Sequence, residues 1–341
     1  MRFPVSDSFN QCNSKENTIT LQVAIIVIAF NEERRIGDCL RALLAQNTSL
    51  SYEVIVVDDG SLDSTAFVVE QFEGKHSNVR LVRHETNLGR GAARRSGQES
   101  AQSPLIGFVD ADIIVPPDWL QRCSEELSRF DAVSGIALPD GDCAVIWRIC
   151  EPTLRRRPGS AEITGNNVLF SGEALSRIPF APDSQLGEDF RLAKLMVHDG
   201  MRLSTVKDLV VEHRESKTYL RAVSWMWRSG VDATALLFEF GALRIPDLAW
   251  ITWSAGLLSM ILVAALGAVG VWVAAAVSTA MTILISFLFV GSRFLPRPRP
   301  MRFLFALLIT PPLILAYLAG RCAGLFQLKG FLHHAARTPT L

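Results

Sequence analysis

LIGFVDAD, residues 105–112, is the stretch that decides how this chain is read: an apolar run ending in two aspartates one residue apart. A strand that stops in Asp110-x-Asp112 sets two carboxylates at the carboxyl edge of a sheet, where open α/β folds place their ligands. Hard oxygen donors at that edge suit Mg²⁺ or Mn²⁺, and such ions commonly complete their shells with substrate phosphates.

Upstream, the same alternation of buried strand and amphipathic helix repeats. QVAIIVIAF (22–30) reads as a buried strand, with Asn31 as the N-cap of a helix that carries Glu32 and Glu33 in its first turn. Ile36, Leu40, Leu43 and Leu44 recur on one helical face. EVIVVDD (53–59) is a second strand, after which Asp63 opens a helix with Ala66, Val69 and Phe72 on its apolar side. NVRLVRH (78–84) is a third strand, 90–101 a helix of small residues, and PLIGFVD (104–110) a fourth strand. Four strands separated by helices imply an α/β fold with a mainly parallel sheet and right-handed crossovers.

Downstream, Pro116–Pro117–Asp118 starts a helix running to about Arg129, and DAVSGIAL (131–138) reads as a strand. TGNNVLFSGEAL (164–175) and a helical GEDFRLAKLMVHDG (187–200) follow. Residues 139–162, with the basic run Arg155–Arg157, read as a mobile or membrane-facing segment, the run itself being at least as readily a solvated loop as a phosphate site. Residues 217–246, with Trp225, Trp227 and several arginines, suggest amphipathic helices at a membrane interface.

Of the 341 residues, 49% are hydrophobic, and the excess is concentrated at the carboxyl end. Leu248–Leu266, Val269–Val290 and about 303–318 each approach the roughly 20 residues that cross a bilayer core. Arg293, Arg297, Arg299 and Arg302 crowd the loop between the second and third runs, which the positive-inside rule places in the cytosol. The expectation is an integral protein of the cell (inner) membrane with a cytosolic front domain and two or three transmembrane helices. It divides into a polar tail 1–21, a catalytic domain 22–216, interfacial helices 217–246, a membrane domain 247–325 and a tail 326–341. The first 21 residues show no secretory signal. A formal net charge of zero offers no basic footprint for nucleic acid. Six cysteines without metal-ligand spacing read as reduced, apolar side chains.

Four elements stand in order: IIVIAFNEE (25–33), VIVVDDGSLD (54–63), FVDAD (108–112) and GEDFRL (187–192). Together they resemble the family 2 inverting glycosyltransferases of GT-A fold, over about residues 22–230. That resemblance implies a UDP- or GDP-linked sugar donor, a Mg²⁺ or Mn²⁺ cofactor, and the following roles. Ala29, Phe30 and Glu32 cradle the base and ribose, and Asp59 accepts a hydrogen bond from the base. Gly89, in the glycine-rich Asn87–Gly91 stretch, permits close approach to a phosphate, and Arg94 or Arg95 pairs with the diphosphate. Asp112 binds the metal, Asp110 contacts ribose or metal-bound water, and His213 is a further ligand. Asp189 is the base that takes a proton from the attacking hydroxyl, and Glu188 orients it or bonds the acceptor. Asn166 and Asn167 line the acceptor and donor-sugar site, and Arg228 touches the diphosphate.

The chain departs from processive members, which carry Q-x-x-R-W where this one has Ser224–Trp225–Met226–Trp227–Arg228. The expected reaction is therefore a single addition to a hydroxyl of a lipid or lipid-linked glycan. Transfer to a polyprenyl phosphate is the alternative, and a non-catalytic, membrane-anchored binder of sugar nucleotides a second one. A nucleotidyltransferase would want a glycine-rich basic loop after the first strand, where this chain has FNEERR.

Overall fold

The computed structural model describes residues 22–139, 163–182, 187–214, 218–241 and 312–325, with isolated positions 146, 273, 276–277, 280, 284 and 309–310. An eight-stranded sheet organises the chain in the order β3-β2-β1-β4-β7-β6-β8-β5. Its strands are β1 (Val23–Ala29), β2 (Tyr52–Asp58), β3 (Val79–Arg83), β4 (Leu105–Asp110), β5 (Ile113–Ile114), β6 (Ala132–Pro139), β7 (Asn167–Ser171) and β8 (Leu203–His213).

The first half is the expected parallel sheet, with β1 pairing β2 and β4, and β2 pairing β3. Every residue of β1 is buried, as a central strand covered on both faces requires. One core lies under α1 (Ile36–Leu44) and α4 (Trp119–Glu126), and includes Ile25, Val27, Leu40 and Trp119. The other includes Ile26, Phe108, Phe170 and Met196, under α3 (Arg90–Ser100) and α6 (Glu188–His198). Gly97 lets α3 lie close on the sheet, because a Cβ there would run into Ile26. α2 (Thr65–Glu73) covers β3.

The second half corrects the parallel expectation. β7 runs antiparallel to both β4 and β6, β6 pairs β8 in parallel, and β5 pairs β8 antiparallel. Apolar patterning marks these strands but carries no information on the direction of their partners, and β7 leads directly into the short helix α5 (Gly172–Arg177) without a crossover. Asn31 is also corrected. It adopts φ +56 and its Oδ1 accepts from the Leu62 amide at 2.9 Å, tying the β1 exit to the β2 exit, and the helix begins at Ile36 instead.

α7 (Tyr219–Phe240) is a single 22-residue helix. Ala222, Met226 and Ala233 pack it against Leu313, Ile314, Tyr317 and Leu318 of helical residues 312–325. Among the described residues no helix is long and apolar enough to cross a membrane. The apolar runs 248–266 and 269–290 fall almost wholly outside the described residues, as do the tails 1–21 and 326–341, the run Arg155–Arg157 and the basic loop 291–302.

Candidate active site

The site gathers at the carboxyl ends of β1, β2 and β4. β4 ends at Asp110, and the chain turns at once into β5, whose Ile113 pairs with His213 at the end of β8. That register sets Asp112 Oδ2 3.2 Å from His213 Nε2, both largely buried. The Arg214 amide donates to the Asp112 carbonyl at 2.8 Å and fixes the junction. Burial alone would raise the Asp112 pKa, but the facing His213, with Arg35 and Arg90 nearby, overrides it and brings the value to about 2. Asp112 is therefore an anion at neutral pH.

Asp110 is differently placed. Its Oδ1 accepts from Arg94 at 2.9 Å, and burial, only partly offset by Arg94, raises its pKa. Arg94 is 1% exposed and also ion-pairs with Glu188 Oε1. Glu188 is likewise shifted upward by burial against the opposing pull of Arg94. The Arg94 guanidinium is thus enclosed between two carboxylates, one on each terminal nitrogen.

Asp189 follows in the first turn of α6, after Gly187 at φ +69. Its Oδ2 accepts from the Gly165 amide at 2.9 Å and its Oδ1 from the Phe190 amide at 2.8 Å. The carboxylate is half-buried, so its orientation is set while one side stays reachable.

The neighbouring asparagines differ. The Asn166 carbonyl accepts from the Asp110 amide at 3.1 Å, at the floor of the site. Asn167 is fully buried: Oδ1 accepts from Gly135 at 2.6 Å, and Nδ2 donates to Asn166 Oδ1 at 3.0 Å and Thr164 Oγ1 at 3.4 Å. It staples β7 to β6.

On the β2 side, Asp59 is nearly buried and holds the loop that leads into α3. It accepts from the Leu88 and Gly89 amides, each at 2.9 Å, and sits 2.7 Å from His84 Nδ1. Gly89 has φ +93, a conformation that suits glycine and orients the amides at the start of α3. His84, which sequence reading passed over, continues to Ser96 Oγ on α3 at 2.9 Å. A histidine closing a strand three residues ahead of a glycine-rich loop was its only signal. Phe30 is 42% exposed beside this loop system, Ala29 is buried behind it, and Glu32 pairs with Arg35 at 2.6 Å. Arg95 pairs with Glu99 at 2.6 Å on the outer face of α3. Arg228 is exposed on α7 and makes no hydrogen bond or ion pair among the described residues.

Residues 24–173, which contain β1 to β7 and the Asp110-x-Asp112 edge, match the model of glycosyl transferase family 2. The chain carries a family 2 glycosyltransferase domain. Over 128 residues it is 35% identical to the glycosyltransferase AglE of Haloferax volcanii, covering 36% of this chain and 42% of that protein. Over 109 residues it is 39% identical to the dolichyl-phosphate β-glucosyltransferase of Drosophila melanogaster, 29% of this chain and 33% of that protein. The chain thus spans less than half the length of these relatives. The chain also superposes on the solved mannosyltransferase of Pyrobaculum calidifontis in complex with GDP-Man and Mn²⁺. The TM-score is 0.59 and the identity 20%, over 89% of this chain and 88% of that one. That likeness establishes a GT-A-like mixed α/β fold.

Proposed function

We propose that this glycosyltransferase moves one sugar, with inversion, from a UDP- or GDP-linked donor to a hydroxyl of a lipid or lipid-linked glycan at a membrane. The observation that carries the reading is the convergence at one sheet edge of two carboxylate pairs, Asp110/Asp112 and Glu188/Asp189, from segments 76 residues or more apart. An inverting transfer to a hydroxyl needs a base on the attacking side and charge compensation for the departing diphosphate on the leaving side, which a carboxylate-held cation supplies. Asp189, fixed by two backbone amides, takes the proton from the attacking hydroxyl. Glu188, held by Arg94, keeps the first turn of α6 in register.

The donor side fits a divalent cation. Asp112 is anionic, His213 offers an imidazole nitrogen, and two such donors 3.2 Å apart can occupy adjacent positions on one Mn²⁺ or Mg²⁺. When bound, the ion supplies charge compensation for the leaving nucleoside diphosphate. Phe30, Asp59 and the amides around Gly89 line the remainder of the donor side. The membrane reading is supported by the apolar runs after Leu248.

A second reading, transfer to a polyprenyl phosphate, is favoured by the likeness to the Drosophila dolichyl-phosphate glucosyltransferase. A phosphate acceptor is already ionised at pH 7 and makes no use of Asp189 as a base. Purified protein incubated with a panel of labelled nucleotide sugars, Mn²⁺ or Mg²⁺, and total membrane lipid tests both. Label that mild acid leaves on lipid or releases on a larger glycan supports the hydroxyl acceptor, label released as the free monosaccharide supports the phosphate, and no product with any donor removes the transferase reading.

A further inference from the structure

The two carboxylate motifs share a single cation. One terminal nitrogen of Arg94, itself 1% exposed, donates to Asp110 Oδ1 at 2.9 Å and the other to Glu188 Oε1. The backbone of Gly165 lies directly against the same guanidinium: a Cβ there would sit 2.7 Å from its central carbon and 2.8 Å from both terminal nitrogens. The amide of Gly165 is the group that donates to Asp189 Oδ2. Phe180 forms a further wall, its ring centroid 5.5 Å from the Arg94 Cζ. One flat cation thus bears on Asp189 by two routes, through Glu188 next to it in the chain and through the Gly165 backbone across from it.

Resting on the glycosyl-transfer reading above, we infer that Arg94 is a positioning residue that sets the Asp189 base through Glu188 and Gly165. The planar fork is what the geometry uses. Two carboxylates on different elements are each met by one nitrogen of a rigid plane, and a lysine ammonium offers neither that span nor a flat face for Gly165 to pack on. Burial raises the stakes, since a carboxylate left without its cation in such a site is strongly unfavourable and moves or takes up a proton.

The test uses the full chain as Arg94→Lys, which keeps the charge and removes the fork, and Gly165→Ala, which changes no charge and pushes on the guanidinium. Misplacement of a reacting group by about an ångström costs on the order of 10²-fold in turnover. Arg94→Lys is therefore expected to lose about that in kcat and Gly165→Ala about tenfold. The donor KM, and the affinity for UDP and GDP with Mn²⁺ measured by calorimetry, stay within about threefold of wild type. Hydrogen–deuterium exchange is expected to accelerate in Arg94→Lys in peptides covering both 163–171 and 188–198. Unchanged kcat in both variants, or a loss of nucleotide affinity matching the loss of turnover, overturns the inference. Wild-type protein inert towards every donor removes the transfer reading instead, and the exchange measurement then still decides the coupling. Acceleration in both peptides supports it, and unchanged exchange at 188–198 overturns it.

Discussion

His213 Nε2 stands 3.2 Å from Asp112 Oδ2 across 101 residues of sequence, and the pairing of β5 with β8 is what brings them together. If the pair holds the divalent ion, chelation should abolish transfer and added Mn²⁺ restore it. Asp112→Asn should lose at least about 10²-fold in metal-supported kcat/KM, and His213→Ala about tenfold, while metal-free nucleotide affinity changes little. Calorimetric titration of GDP and UDP with and without Mn²⁺ reads this. A His213→Ala protein with undiminished Mn²⁺ enhancement would show that the histidine only orients Asp112.

Asp189→Asn retains the acceptor oxygen for the Gly165 amide and removes the capacity to take a proton. Turnover onto a hydroxyl acceptor should fall by about 10²-fold or more at unchanged donor affinity. Wild-type activity in this variant would exclude Asp189 as the base and shift weight to the phosphate acceptor.

Asp59 predicts a different signature. Its two oxygens gather the Leu88 and Gly89 amides and His84, so it shapes the loop that meets the donor. Asp59→Ala removes three part-buried hydrogen bonds, each worth about 0.5–1.5 kcal/mol net. It should lower Tm and raise the donor KM more than it lowers kcat. His84→Ala should do the same more weakly. A fall in kcat alone, at normal KM, would contradict the loop-anchor role.

The pattern of what sequence revealed follows from what sequence encodes. β1, β2 and β4 were legible because a strand buried on both faces must be a continuous apolar run, and Asp110 and Asp112 were legible because they interrupt one. The contacts of Asn167 were not legible, because an Asn-Asn pair looks the same whether it faces a ligand or bonds across a polar gap, as Asn167 does between β7 and β6. The contacts of Arg94 were not legible for a related reason. A cation one turn into a helix after a glycine-rich loop reads as a phosphate ligand, and only the three-dimensional approach of Glu188, 94 residues away, shows where its charge is spent.

Glu188 carries a pH signature. Burial raises its pKa and Arg94 reduces that shift without cancelling it, so the folded value lies above the unfolded value of about 4.3. Between the two values the native state holds more protons, so this contribution to stability is complete below the unfolded pKa and is lost as pH rises through the folded one. Glu188→Gln lacks the titration. The Tm of wild type relative to this variant should therefore decline as pH rises from about 4.3. A difference that stays flat with pH would mean that Glu188 ionises normally in its pocket.

The helix pair beyond the sheet gives a prediction whose sign alone decides it. Gly230 on α7 and Gly320 on the facing helix bring the two backbones together: a Cβ on Gly230 would strike the Tyr317 carbonyl, and one on Gly320 the Trp227 carbonyl. In an isolated helix Gly→Ala is stabilising by about 1 kcal/mol. Here Gly230→Ala should instead destabilise, because overpacking against fixed backbone costs about 1–3 kcal/mol. The effect should reach α6, since Glu239 of α7 pairs with Arg191 of α6 at 3.0 Å and Leu236 of α7 lies where a Cβ on Gly187, just ahead of α6, would meet it. Limited proteolysis and thermal melts of Gly230→Ala should show earlier loss of α7, with faster exchange at 188–198. A rise in Tm would mean that the two helices do not meet at Gly230 in solution, and that α6 is held by the sheet alone.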